Sequence, residues 1–144
     1  KMLSLIKSAP KIKYDVITFM GGGNDSGSKD APTDKYAPIY KEAKDRKPKL
    51  IVAMTNPTKI NHPKQKTRYP SNEKLAQHVR DNYSTLGADM LIDVNKIFSE
   101  DKYFKDDKVH LHMSQGFPKL RDLWIQEVLP KIPKSLSEKK KDFK

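Results

Sequence analysis

An α/β chain built on a parallel sheet is the fold class this sequence predicts, and three observations predict it. Three short apolar runs recur along the 144 residues, at 14–20, 50–55 and 90–94. Amphipathic patterns of helical period separate them, so helix and strand alternate. Each run is near-continuously apolar instead of strictly alternating, which suits parallel strands covered on both faces. A length of 144 residues and a mass of 16.6 kDa correspond to one domain.

The elements follow in order. Residues 2–9 read as the tail of a helix. Residues 14–20, Tyr-Asp-Val-Ile-Thr-Phe-Met, are rich in β-branched and aromatic side chains, and Gly21-Gly22-Gly23 stops them, so they form a buried strand. Between 34 and 47, Tyr36, Ile39, Tyr40 and Ala43 recur at helical spacing, with Pro38 tolerable only in the first turn. The second strand, 50–55, is closed by Asn56-Pro57, and the Pro- and Lys-rich stretch 59–68 is expected to be a long exposed loop. From 71 to 86, Leu75, Val79, Asn82, Tyr83 and Leu86 line one stripe, with Ser71 as N-cap and Gly87 just past the end. His78 on this helix reads as a surface residue. After the third strand, 90–94, comes a loop, then a last helix marked by Phe117, Leu120, Leu123, Trp124 and Val128 and ended near Pro130. Phe117 and Trp124 fit core packing better than ligand stacking.

Together these elements predict a three-layer α/β/α sandwich with a flavodoxin-like parallel sheet, incomplete in this chain. Three strands make a small sheet, and an apolar strand at an unpaired edge is an association hazard. Another chain or segment is therefore expected to complete it. Lys1 precedes Met2, which is not a normal translation start, so the chain is expected to be processed or a portion of a longer polypeptide. Residues 1–133 are expected to form one partial domain, and 134–144 a basic, flexible tail.

Composition excludes several classes of function. The chain has no cysteine, hence no disulfide framework, thiolate metal site or cysteine nucleophile. The apolar runs are too short for a membrane-spanning helix, which needs about 20 residues. Leu, Ile, Val and Phe supply just over one fifth of the residues, so the core is small. No signal-peptide pattern is visible, and the compartment is left open.

In open parallel sheets, ligands bind outside the carboxyl ends of the strands. Two polar clusters fall there. Gly21-Gly22-Gly23-Asn24-Asp25 directly follows the first strand, and Asp107-Lys-Val-His110 lies between the third strand and the last helix. The glycines allow close backbone approach, but neither a Walker ending nor the dinucleotide spacing is present. In the second cluster, a carboxylate three residues before an imidazole can accept its Nδ1–H and leave Nε2 as a general base.

Read together, Phe19-Met20-Gly21-Gly22-Gly23-Asn24-Asp25 resembles the G-x-N-D block of the SGNH (GDSL-type) hydrolases. Asp107-Lys-Val-His110-Leu111, followed by Ser114-x-Gly116-Phe117 and Leu120-x-x-Leu123-Trp124, resembles that family's final D-x-x-H block and closing helix. The resemblance runs from about Tyr14 to Leu129 and implies a serine ester hydrolase acting on acyl or acetyl esters, those of a carbohydrate included. It implies that Asn24 donates its amide to the oxyanion, that His110 is the general base and that Asp107 orients His110. Gly22, Gly23 and Asp25 would then support the loop. The family's Gly-Asp-Ser nucleophile block and its second oxyanion block should precede Tyr14, and neither is present. Ser4 and Ser8 lack a preceding Gly-Asp, and Ser26 follows Asn24 too closely. The segment or chain that completes the sheet is therefore expected to supply the serine.

His110-x-His112 places two imidazoles on one side of an extended segment, but no third ligand stands out among His62, His78 and the acids. No metal or other cofactor is expected. Lys and Arg number 29 against 18 acids, a net charge of +11. They cluster at 44–49, 59–68 and 139–144. A field of this sign steers anionic polymers, so a second reading is a catalytically inactive structural or binding module, a basic surface- or virion-associated component that holds a polyanion. Few aromatics accompany the lysines, which makes nucleic acid the weaker choice.

Overall fold

The computed structural model describes residues 1–22, 32–57, 69–98, 100–107 and 110–132. Its elements are α1 (Met2–Ser8), β1 (Val16–Met20), α2 (Tyr36–Asp45), β2 (Leu50–Met54), α3 (Tyr69–Leu86), β3 (Met90–Ile92), α4 (Val94–Ile97) and α5 (Gly116–Val128). Short 3-10 turns occupy Thr33–Lys35, Asp101–Tyr103 and Leu129–Lys131. The expected loop 59–68 and the tail 134–144 lie outside the described residues.

The three strands form one parallel sheet in the order β1-β2-β3, with Val16 opposite Leu50 and Val52 opposite Met90. All five residues of β2 are buried, which is why that run reads as continuously apolar. Fully burying one Val, Leu or Ile side chain contributes about 1.5–3 kcal/mol, so β2 is the thermodynamic centre of the sheet. Successive side chains serve opposite faces. On one face Ile51 and Ala53 pack with Tyr40 and Ala43 of α2 and Val79 of α3. On the other, Leu50, Val52, Met54 and Ile92 pack with Val128 and Trp124 of α5 and with Phe98, Phe104 and Leu111. Helices on both faces of a parallel sheet make the expected α/β/α sandwich.

Several boundaries differ from the sequence reading, each for a local reason. α2 starts at Tyr36 after a 3-10 turn and stops at Asp45, where Lys47 takes a positive φ of 50°. Pro38 is its third residue and so falls in the first turn. α3 begins at Tyr69, so Ser71 is inside the helix and is not its N-cap. Pro70 is tolerated there because a first-turn N–H has no intrahelical acceptor. At the other end Gly87 has φ +113°, its N–H donates to Ser84 O at 3.0 Å, and the Ala88 N–H donates to Tyr83 O at 2.8 Å. That is the Schellman arrangement, closed by glycine. The third strand ends at Ile92, because Asp93 and Val94 turn into the short α4.

α1 is tied to α2. The Arg46 guanidinium donates to the carbonyls of Ile6, of Ala9 at 3.3 Å and of Pro10 at 2.9 Å, satisfying acceptors left over at the α1 C-terminus. Ile6 thereby joins the apolar cluster on the α2/α3 face.

Candidate functional site

β1 delivers Gly21 and Gly22 to the carboxyl rim of the sheet. Gly22 has φ +102°, and the Tyr36 hydroxyl, at the start of α2, donates to Gly21 O at 3.4 Å. A cavity of about 800 Å³ opens here, with Gly21, Gly22, Tyr36, Asn56, Leu75 and the N-terminal turn of α1 in its wall. Gly23, Asn24 and Asp25, which the sequence places next in line, lie outside the described residues.

The second cluster is built on a small antiparallel bridge between Phe104 and Leu111. Both side chains are buried under α5. The Lys105 N–H donates to His110 O at 2.8 Å, and the His112 N–H donates to Tyr103 O at 2.8 Å, which closes the loop carrying Asp107 and His110. Within it, Asp107 grips His110 twice. Its Oδ1 accepts the His110 backbone N–H at 2.9 Å, and its Oδ2 accepts the imidazole Nδ1–H at 2.6 Å. A carboxylate on Nδ1 puts the proton there and leaves the Nε2 lone pair outward. The imidazole is 73% exposed, so a reacting group can reach it.

The loop leads into α5, whose first turn holds Phe117. Phe117, Leu120 and Arg121 face Met20 and Met54, the last residues of β1 and β2. α5 therefore starts at the same rim as Gly22. Among the described residues, neither Asp107 nor His110 lines the cavity at Gly22. Phe117 is 47% exposed instead of packing in the core, because it overhangs the outer edge of β1. Trp124 is half-buried against the core, and its Nε1–H donates to Thr18 Oγ1 at 3.0 Å.

His78, expected on the surface, is half-buried. Its ring stacks on Tyr36 at 5.6 Å between centroids, and its Nε2 is buried with no hydrogen-bond partner among the described residues. His112 accepts the Ser114 backbone N–H at 3.3 Å on Nδ1, 3.0 Å from the Ser114 hydroxyl. Among the described residues no group of three or more His, Asp or Glu side chains is placed to hold a metal ion, and no helix is long and apolar enough to cross a membrane.

Sequence reasoning missed a polar network at the carboxyl ends of β2 and β3. Arg80, on α3, donates to Asp93 Oδ2 at 2.7 Å, to Glu73 Oε1 at 2.7 Å and to Asn95 Oδ1 at 2.8 Å. Thr55 donates to Asp93 Oδ1 at 2.8 Å and accepts the Asn95 N–H at 2.9 Å. Asn56 extends the chain to the buried Asn72, at 3.1 Å, and reaches the cavity wall. Burial pushes the Asp93 carboxyl up, but hydrogen bonds from Arg80 and Thr55 and the charges of Arg80 and Lys96 outweigh it and hold Asp93 below the usual carboxylate range. Burial likewise works against the Arg80 charge, and its bonds to Asp93 and Glu73 more than restore it. The signal was an acid interrupting the third apolar run, followed two residues later by Asn95.

A parallel sheet in this order, covered by helices on both faces, defines the α/β class and is consistent with part of a flavodoxin-like fold. No family model matches the chain, and no curated protein matches it. Solved structures do. A lipase/acylhydrolase from Enterococcus faecalis superposes with a TM-score of 0.65 and 14% identity, over 83% of this chain and 63% of that one. An acetyl-xylooligosaccharide esterase from Geobacillus superposes with a TM-score of 0.58 and 20% identity, over 80% of this chain and 59% of that one. At such identities the likeness is one of fold. This chain spans about six tenths of the length of each neighbour.

Proposed function

We propose that residues 1–133 are the C-terminal portion of an SGNH-type serine hydrolase that cleaves acyl or acetyl esters, with a carbohydrate acetyl ester as the leading substrate class. The observation that carries this reading is the Asp107–His110 pair, in which one carboxylate holds both the backbone and the ring of His110. Two ester-cleaving neighbours of the same fold support it. In the mechanism, a serine hydroxyl from the segment or chain that completes the sheet attacks the ester carbonyl. His110 Nε2 takes the hydroxyl proton and returns it to the leaving alcohol. Asp107 keeps the proton on Nδ1 and stabilises the imidazolium. Asn24 and backbone N–H groups of its glycine-rich loop are assigned the role of oxyanion donors, and Asp25 that of supporting the loop.

The test is hydrolysis of p-nitrophenyl acetate by the natural polypeptide that contains these residues, beside three variants. His110→Ala is expected to lower the rate by about a thousandfold or more, and Asn24→Ala by about 10²–10³. Asp107→Asn should lower kcat with little change in KM, since Asp107 acts through His110. Equal rates for the parent and His110→Ala would falsify the hydrolase reading and leave the inactive binding module in its place.

A further inference from the structure

We infer that His110 and His112 together form a chelating site for one exchangeable divalent cation of the zinc or copper class, held by Nε2 of both imidazoles. The site does not need the hydrolase reading; only its effect on catalysis rests on that reading.

The backbone brings the two rings to one side. Leu111 lies between them and pairs with Phe104 in the antiparallel bridge, and both of those side chains are buried. The Lys105 N–H bond to His110 O and the His112 N–H bond to Tyr103 O hold residues 110–112 extended. Side chains alternate along an extended segment. With Leu111 turned inward, His110 and His112 share the outer side, where both are exposed. Their Cα atoms then lie about 6.5–7 Å apart. Two imidazoles leaning towards each other close that gap to a shared ion, at about 2.0–2.1 Å from each nitrogen.

Each ring is also held by its other nitrogen. Asp107 Oδ2 accepts the His110 Nδ1–H at 2.6 Å, the carboxylate–imidazole pairing that orients a metal-ligating histidine and raises its basicity. His112 Nδ1 lies 3.0 Å from the Ser114 hydroxyl and accepts the Ser114 N–H at 3.3 Å. Coordination through Nε2 puts the His112 proton on Nδ1, which then donates to Ser114 Oγ. The long bond from the Ser114 N–H is given up in exchange, a loss of about tenfold in affinity at most. The charge of the loop does not oppose a cation, because Asp106 and Asp107 balance Lys105 and Lys108.

Among the described residues no third His, Asp or Glu joins the pair. Water therefore fills the remaining positions, and the ion exchanges instead of residing as a cofactor. Neutral imidazoles suit zinc, copper and nickel, whereas magnesium and calcium prefer oxygen ligands. An ion on His110 Nε2 occupies the lone pair that would otherwise accept a proton. On the hydrolase reading the same ion is therefore an inhibitor.

The experiment titrates the natural polypeptide that contains these residues with zinc chloride and follows the histidine ring signals by NMR. The His110 and His112 signals should move together and saturate at one ion per chain. His110→Gln and His112→Asn should each weaken zinc binding by at least about tenfold, since either change turns a chelate into a single ligand. Asn at position 112 still offers an oxygen to the Ser114 N–H, so the start of α5 keeps its acceptor. Asp107→Asn should weaken binding by about tenfold through His110. Movement of one ring alone, or full-strength binding to His112→Asn, overturns the proposal. Hydrolysis of p-nitrophenyl acetate is scored separately. Zinc moving both rings without any His110-dependent hydrolysis keeps the chelate and sinks the hydrolase reading. His110-dependent hydrolysis with neither ring moved does the reverse. Where both hold, zinc should inhibit in step with the ring shifts, and His112→Asn should need at least about tenfold more zinc for half-inhibition.

Discussion

Gly22 illustrates how much one backbone angle decides at this rim. Its φ is +102°, and a Cβ there would fall 2.6 Å from the Tyr36 hydroxyl oxygen. Gly22→Ala therefore meets both a backbone penalty and a clash, and is expected to lose about 1–2 kcal/mol in urea denaturation. Tyr36→Phe in that background removes the hydroxyl but not the φ penalty, so it should return part of the loss; full recovery would mean that φ costs nothing there. Single residues differ in how far sequence exposes them. The Asp107–His110 pair was legible because three residues of separation in a loop is enough for a carboxylate to reach a ring nitrogen. Tyr36 was not, since nothing in its helical spacing says that its hydroxyl lies over a glycine from the preceding strand. Likewise the fit of His78 against Tyr36 arises from two helices meeting, a contact that neither helix's own pattern contains.

At the level of elements, the ends of β2 and β3 are held by charge buried between them and α3. Arg80 has a side chain only 8% exposed and Asp93 one 20% exposed, so removing one partner leaves the other poorly solvated. Arg80→Leu is expected to cost about 3 kcal/mol, a value usual for breaking a buried pair. The pH dependence has a defined sign. Asp93 titrates below its ordinary range in the folded chain. Its contribution is therefore complete above the unfolded value of about 3.9 and is lost as pH falls through the depressed native value. Urea midpoints of the parent and of Asp93→Asn should lie apart at pH 6 and converge below about pH 4. Parallel curves across that range would show that the carboxylate's charge contributes nothing. Strands and long helices were readable because apolar periodicity records burial. α4 and the Phe104–Leu111 bridge were not, because a single turn and one bridged pair leave no period to detect.

For the whole molecule, alternation of helix and strand carried the α/β class, and a β1 edge that no strand of the described residues pairs was foreshadowed by the small number of strands. The excess of cationic charge was legible as a number but not as a place. The structure gives one place. Lys11 and Lys13 precede β1 and Lys47 precedes β2, and with Arg46 they surround a surface hollow at the amino ends of the strands. Among the described residues the three lysines make no ion pair, while of the two acids in the lining Asp45 is engaged by Lys41 at 2.7 Å and Glu42 lies 4.0 Å from Arg46. The hollow is therefore net cationic, and it lies at the opposite end of the sheet from Gly22 and the first turn of α5. A polyanion held there would release counterions in proportion to the charges it meets. Retention on a heparin resin should fall steeply with salt, and changing Lys11, Lys13 and Lys47 together to Gln should lower the log–log slope by about 2–3. Because the hollow is remote from His110, the same triple variant should leave His110-dependent ester hydrolysis unchanged. An unaltered slope would move polyanion binding to other lysines, and a flat parent curve would leave the charge with a solvation role alone.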